Sequence, residues 1–369
     1  MYKVKIAETE SEEESAYELF YKSFGPTYYD AKEVFDLTRK YDPTLKNENL
    51  FIIKEKDSVI AAVRTVTRSL KLFDKRFDIC GIATTVVHPE HRGKGLFNII
   101  TQSVLNEMVN RRLSLCLIFA RRAIDNIYVN HGFWGTPVER RFTVLDAPEL
   151  DVNLSFRRIQ IEDISFMEKT YRQVYGSMSV FIDRPKPLWH AKMKNPNFHK
   201  QFDGYVCTQN ETEIGYVISE HGKGIIEVCS CSDDQDTYKS IFFSRNSPVR
   251  EAALSSISLS MEHPAMKAFR GHAYSIFTRH PHYGGNILKI FNPCDKKSKI
   301  MKLVESRLAN RDIKIPDGLE NFPPHVVSRV IISALFGYEV PETRNVLEIG
   351  EKWNTLKPVD FLFSSLDDF

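Results

Sequence analysis

Ile82-Ala-Thr-Thr-Val-Val-His-Pro-Glu-His-Arg-Gly-Lys-Gly-Leu-Phe97 joins two kinds of periodicity. The apolar run before it, from Phe77, reads as a strand that ends at Val87. Pro89 has no N–H to give a ladder, so it stops the strand and opens a tight loop. Gly93 and Gly95 permit backbone conformations closed to other residues. From Leu96 the apolar residues Leu96, Phe97, Ile99, Ile100, Val104, Leu105, Met108 and Val109 recur at helical spacing, the clearest helix of the chain. A glycine-bearing loop at a helix N-terminus aims free N–H groups at one spot, the geometry that holds a pyrophosphate. Arg92 and Lys94 add positive charge beside it. A Walker loop is excluded, because no Gly-Lys-Ser/Thr follows. A Rossmann fingerprint is excluded, because the third glycine is missing.

Around this segment the first 150 residues alternate. Tyr2 to Ile6 reads as a strand and Glu12 to Phe24 as a helix that ends at Gly25-Pro26. Asn49 to Lys54 and Ser58 to Val66 read as a hairpin turning near Lys56-Asp57. Leu113 to Ala120 reads as a buried strand. The order is therefore helices, antiparallel strands, then one strand–helix–strand crossover. Asp146-Ala-Pro-Glu-Leu-Asp-Val152 reads as a linker. A second α/β segment follows, with a helix over Asp163 to Tyr175 and strands over Gly204 to Thr208, Glu213 to Ser219 and Gly224 to Cys231. A third segment carries helices over Ser298 to Leu308 and His325 to Phe336. The expected fold is α/β with mixed sheets, divided at 1–150, 151–293 and 294–369.

Composition narrows the classes further. The 369 residues are 42% hydrophobic and 27% charged, an ordinary globular balance. A net charge of +2 lends no support to nucleic-acid binding. The longest strongly apolar stretch, Leu113 to Ala120, is far below the ~20 residues of a membrane helix. The start, Met1-Tyr-Lys-Val-Lys-Ile6, lacks the apolar core of a secretory signal, so a cytoplasmic location with no membrane partner is expected. Six cysteines are scattered, Cys80, Cys116, Cys207, Cys229, Cys231 and Cys294, most in apolar strand-like runs that suit buried reduced thiols. Cys229-x-Cys231 lacks a second ligand pair, so no metal is expected. His88 and His91 likewise lack further ligands at metal spacing.

Pro89-x-His-Arg-Gly-x-Gly-Leu96 after a strand resembles motif A of the GNAT acetyltransferase superfamily. Asn126-Ile-Tyr-Val-Asn-His-Gly-Phe133 resembles its motif B, with Asn126 and Tyr128 closer together than usual. The resemblance implies an acetyl-CoA site. The loop amides of Arg92, Gly93, Lys94, Gly95 and Leu96 would hold the diphosphate. The strand backbone at Thr85, Val86 and Val87 would hold the pantetheine arm and acetyl carbonyl, with Asn126 lining the same site. Tyr128 would be the general acid that protonates the departing thiolate. Glu90 departs from the usual Gln or Arg at the first motif position. Asp30, Glu33 and Asp36 fall where the α1–α2 region of such a domain borders the acceptor, positions that suit attraction of a cationic amine or plain surface solvation. Glu12-Glu13-Glu14 reads as a solvated first helical turn, favoured by the helix dipole.

The whole chain resembles the enhanced intracellular survival family: a catalytic GNAT domain, a degenerate second GNAT-like domain and a C-terminal sterol-carrier-protein-like domain, here shortened between Asp312 and Pro324. Arg184-x-x-x-x-Trp189, Leu335-Phe-Gly-Tyr338 and the ending Asp367-Asp-Phe369 carry this resemblance, though the family's ending is commonly Asp-Arg-Phe. It implies that the α-carboxylate of Phe369 is the base and that the protein is a homo-oligomer, with a hexamer as one form. The second domain has no Gly-x-Gly loop: Tyr238 to Pro248 contains no glycine, and Gly284-Gly285 comes too late. It is expected not to bind CoA. The expected activity is acetyl transfer from acetyl-CoA to a small-molecule primary amine, an aminoglycoside or polyamine-like acceptor. A peptide or protein lysine is the alternative acceptor, and a non-catalytic acyl-CoA-binding or regulatory protein is the alternative class.

Overall fold

The structure is a computed structural model. It describes residues 2–24, 31–120, 125–135, 139–144, 149–195, 198–222, 224–255, 257, 259–260, 262–269, 274–279, 285–292, 295, 297–309, 313, 315 and 317–337. The chain opens with β1 (Val4–Ile6), α1 (Glu10–Phe24) and α2 (Ala31–Tyr41). An antiparallel meander follows: β2 (Leu50–Glu55), β3 (Ser58–Leu72) and β4 (Lys75–Val87). Lys56, at φ 56°, makes the first hairpin turn where the sequence places it. The second strand runs past Val66 to Leu72, because its buried alternation continues and the chain reverses only at Phe73, at φ 55°. The helix α3 (Leu96–Asn110) then crosses over to β5 (Leu115–Ala120), which pairs parallel to β4. A short helix α4 (Asp125–Val129) and β6 (Trp134–Gly135) complete this part.

A second run repeats the order. It comprises β8 (Ser155–Arg158), α5 (Ile164–Tyr175), α6 (Lys186–Met193), α7 (Phe198–Gln201), then the meander β10 (Phe202–Gln209), β11 (Thr212–Glu220) and β12 (Gly224–Ser230), then α8 (Gln235–Phe243) and α9 (Arg250–Ser255). Its sheet has the order β12-β11-β10-β8, matching β4-β3-β2-β1 of the first.

The two runs exchange strands. β7 (Glu139–Val144), from the first part of the chain, pairs with β13 (Tyr274–Arg279) and packs Val144 into the core under α8 and α9. In return β14 (Gly285–Ile290) inserts between β5 and β6, and β9 (Val180–Ile182) pairs with the far end of β3. The first sheet thus has eight strands, two of them from beyond residue 151. The last helices, α10 (Lys299–Ala309) and α11 (Pro324–Phe336), also belong to this core. They bury Ile300, Val304, Ile331 and Leu335 against Phe77, Ile79, Leu115 and Leu117. Alternate residues of the same strands, Cys80, Ile82, Cys116 and Ile118, face Leu96, Ile100 and Val104 of α3 on the other side. The period-2 alternation of a strand requires both faces to be covered here, and α10 and α11 cover the one that α3 leaves open.

In the second core a charged pair is enclosed. Arg184 and Glu227 are each 1% exposed and their groups lie 3.0 Å apart. The guanidinium stacks over Trp189 at 4.3 Å and Tyr171 at 4.4 Å. The Tyr216 hydroxyl donates to Glu227 at 2.8 Å. The Arg184-x-x-x-x-Trp189 spacing is therefore a packing motif: the arginine precedes α6, and the tryptophan one turn into the helix receives it. Among the described cysteines, Cys80, Cys116, Cys207 and Cys229 are buried and Cys231 is exposed, all as free thiols.

Candidate active site

β4 separates from β5 partway along. Among the described residues, parallel pairing runs from Ile79↔Leu115 to Ile82↔Ile118 and goes no further, although β4 continues to Val87. A register shift at Arg64/Thr65 leaves Ala83 without an opposite residue on β3, and such a bulge bends and twists its strand. Beyond it, His88 N–H donates to Ile60 O at 2.8 Å. In an antiparallel pair the bonding residues alternate, so Val86 and Thr84 also face β3. Thr85 and Val87 consequently turn their N–H and C=O toward the edge that β5 has left. Of the three strand residues expected to serve here, geometry places the backbone of Thr85 and Val87 on the opened edge, while that of Val86 faces β3. Arg92 Nε makes a long contact of 3.5 Å to Val87 O.

The loop 88–95 connects this edge to α3. Pro89–His91 form one 3-10 turn, and Gly93 and Gly95 take φ values of 78° and 75°. Gly95 is the N-cap of α3. A Cβ added at either glycine would meet nothing within 4 Å, so no protein neighbour requires a glycine there. Two reasons remain: the left-handed backbone, and open space in front of the loop. The first backbone bond of α3 is Ile99 N–H to Gly95 O at 3.2 Å, which leaves the amides of the first turn without carbonyl acceptors. Lys94 Nζ lies 3.2 Å from His91 Nδ1, and the exposed Arg92 and Lys94 flank the turn. The loop thus fits an anionic diphosphate in charge, shape and vacant donors.

Tyr128, in α4, is 2% exposed. Its ring packs edge-on against Phe97 at 5.4 Å and Phe133 at 5.6 Å, which sets it beside the first turn of α3. Phe133 N–H donates to Tyr128 O, closing α4. Gly132 has a φ of 80°, and a Cβ there would come within 2.8 Å of Lys289 Nζ. Lys289, from β14, donates to His131 O at 2.6 Å, and burial holds its ammonium below the usual lysine range. Burial, with Lys289 second, also lowers the His131 imidazole, whose Nε2 lies 3.2 Å from Asn98 Oδ1. No sequence signal within motif B points to Lys289, more than a hundred residues further along. The side chain of Asn126 and the whole of Phe369 lie outside the described residues, as does Asp30.

On the opposite face, α1 and α2 cover the strands with Tyr17, Phe20 and Phe35. Asp36, expected to attract a cationic amine, accepts from Tyr21 at 2.7 Å and Lys32 at 2.8 Å. Glu33 lines a shallow surface cleft with Lys32, Asp36, Leu37 and Lys40. Arg64, which the sequence reading passed over, is buried beneath Phe35. A lone charge in Val59-Ile-Ala-Ala-Val-Arg64-Thr-Val was the signal that marked it.

The second run ends its meander differently. After β12 the turn is Cys231-Ser-Asp-Asp234, and α8 begins at Gln235 with Asp234 as its N-cap, accepting from Thr237 N–H at 3.1 Å. The stretch compared with the glycine loop, Tyr238 to Pro248, begins inside this helix, which ends at Phe243. The turn carries Asp233 and Asp234, and Asp236 follows in the first turn of α8, where the first run has glycines and cations. Carboxylates there repel a diphosphate.

Residues 5–136 match the family model of the acetyltransferase (GNAT) domain, and they span β1 to β6 with the glycine loop and Tyr128. By that domain the protein is an acyltransferase. Solved structures similar to it include a GCN5-related N-acetyltransferase from Anabaena variabilis, 15% identical with a TM-score of 0.57 over 83% of this chain and 75% of that one. Another is a GCN5-related N-acetyltransferase from Kribbella flavida, 17% identical, TM-score 0.56, over 79% and 71%. A third is Eis1 from Mycobacterium abscessus, 14% identical, TM-score 0.53, over 85% and 77%. These share the fold. No curated protein matches the chain in sequence.

A prediction arises at the loop. In Gly95→Val a β-branched residue must hold a φ of 75°, a strain of about 1–2 kcal/mol. Its side chain would project into the open space where a diphosphate approaches. CoA affinity measured by calorimetry is expected to fall tenfold or more, with only a modest loss of thermal stability. Unchanged affinity would show that the loop does not hold the donor.

Proposed function

We propose that this protein transfers an acetyl group from acetyl-CoA directly to a primary amine of a small molecule. The observation that carries the reading is the edge of β4 beyond its last described pair with β5, where the backbone of Thr85 and Val87 turns away from β3, next to the glycine loop that opens α3. In this reading the amides of residues 92–96 bind the donor's diphosphate. The N–H of Thr85 or Val87 orients the thioester carbonyl and stabilises the oxygen as it gains charge. The amine nitrogen bonds to the acyl carbon as the carbon–sulfur bond breaks. The Tyr128 hydroxyl gives its proton to the departing sulfur, and the amine's proton passes to a base. Family resemblance assigns that base to the Phe369 carboxylate.

The second run has the strand order of the first and an acidic turn in place of the glycine loop. We read it as a second GNAT-like unit that does not bind CoA and that supplies β14 to the catalytic sheet. The arrangement supports the likeness to the enhanced intracellular survival family.

The test is release of CoA thiol from acetyl-CoA over a panel of primary amines, with the acetylated product identified by mass spectrometry. Amine-dependent thiol release is expected. CoA binding without turnover on any amine would instead support a regulatory acyl-CoA-binding protein.

A further inference from the structure

Arg64 sits on β3 in a position that ordinary folding energetics disfavours. It is 3% exposed, its guanidinium bonds to the Tyr17 phenol, and its Nε and Nη1 atoms have no hydrogen-bond partner among the described residues. Its guanidinium lies 5.3 Å from the Phe35 ring centroid. An ionised group taken from water without a counter-charge costs several kcal/mol.

The neighbouring carboxylates are committed elsewhere. Asp42 Oδ2 accepts from Arg68 Nη2 at 2.6 Å, and its Oδ1 accepts from Arg68 Nη1 at 3.3 Å and from Thr44 N at 2.9 Å and Oγ1 at 2.8 Å. Glu13 and Glu14 pair with Arg39 at 2.8 and 3.1 Å. Asp36 pairs with Lys32. Tyr17 stays a neutral phenol, since burial raises it above its ordinary value. Two guanidiniums thus lie within this side of β3, and one carboxylate serves them. The desolvation is severe enough to hold Arg64 below the usual arginine range.

Its place in the sheet says what an added anion would touch. Arg64 is the register partner of Thr84 on β4, one residue from Thr85, whose backbone faces the opened edge. Directly opposed, hydrogen-bonded residues of such a pair stand about 5.5 Å apart. A group bound by Arg64 therefore lies at the same end of β4 as Thr85, on the α1–α2 side of the sheet and on the face opposite α3.

We propose that Arg64 anchors an acceptor subsite for a carboxylate, and that the acceptor is a small amine of the amino-acid class. This deepens the transfer reading above and rests on it. The ligand's carboxylate supplies the counter-charge that the described residues do not give, and a guanidinium edge offers it paired N–H donors. An aminoglycoside or polyamine has no group for this site.

The experiment uses the full chain and matched acceptors: an amino acid, its carboxamide and the corresponding decarboxylated amine. The acid form is expected to show at least tenfold higher kcat/KM than either neutral partner, and Arg64→Met should erase that preference. Equal kcat/KM across the matched set would overturn the subsite while leaving amine transfer standing. Binding is read separately, by calorimetry of N-acetylated amino acids in the presence of CoA. Binding is expected to wild type, weakened in Arg64→Lys and lost in Arg64→Met. If no amine is acetylated yet this Arg64-dependent binding occurs, the subsite stands and the transfer reading falls. Absence of binding to wild type overturns the subsite.

Thermal melts guard against misfolding. Arg64→Met should leave the unliganded Tm unchanged or higher, because it removes an uncompensated charge, whereas Arg68→Met should lower it by stranding Asp42. A fall in Arg64→Met as large as that in Arg68→Met would mean that the fold already satisfies Arg64, and the proposal would fail.

Discussion

Glu227→Ala is expected to destabilise the protein by about 3–5 kcal/mol, a large share of the about 5–15 kcal/mol of an ordinary domain. Arg184 would be left charged and 1% exposed, with aromatic faces around it and no carboxylate. The Tyr216 hydroxyl would lose its acceptor in the same step. The ring stacking on Trp189 and Tyr171 is not enough to offset this, since cation–π contacts contribute about 2 kcal/mol when desolvated. The double variant Arg184→Met with Glu227→Leu should recover most of the loss, because it removes both desolvation costs together. Urea denaturation of the two single variants and the double checks this. Single-variant losses under 1 kcal/mol, or strictly additive losses, would show that the pair is not the charge lock of the second core.

Tyr128→Phe is expected to lower kcat by about 10²–10⁴-fold, the usual contribution of a positioned acid. The substitution keeps the ring that packs between Phe97 and Phe133, so the Tm should move little. The hydroxyl acts only once the sulfur is leaving, so kcat and kcat/KM should fall together while CoA affinity holds. A wild-type rate at saturating acetyl-CoA and amine would remove Tyr128 from the mechanism. A rise in KM for the donor with kcat unchanged would assign it to binding alone.

Much of the catalytic half was legible because its signals are local. The strand before Val87, the turn at Pro89 and the helix from Leu96 each follow from neighbouring residues. The left-handed glycines at 93 and 95 can be read from composition alone, since few other residues take that backbone cheaply. Tyr128 was legible through its spacing to Gly132 and Phe133. By contrast, the opened edge of β4 was not. It depends on the bulge at Ala83 and on where β5 stops pairing, and neither leaves a pattern in the residues. The turn before α8 was placed too late, because a missing glycine loop gives no landmark and Asp233-Asp-Gln-Asp236 carries no helix-start pattern as distinctive as paired glycines.

By itself the sequence determined the order of elements around the glycine loop, the left-handed turn at Gly93 and Gly95 and the apolar faces of the helices and strands beside it, since each depends on contacts a few residues apart. Only the tertiary structure decided that β14 and β9 join the first sheet, that β7 leaves it to pair with β13, and that α10 and α11 close its open face. Strand pairing over long separations is settled by which edges and faces remain uncovered once the whole chain has collapsed, and hydropathy patterns do not record that choice. The same holds for charge. That Arg68 takes Asp42 while Arg64 pairs with no carboxylate of the described residues is a fact about packed neighbours, visible only when β3 lies beneath α1 and α2.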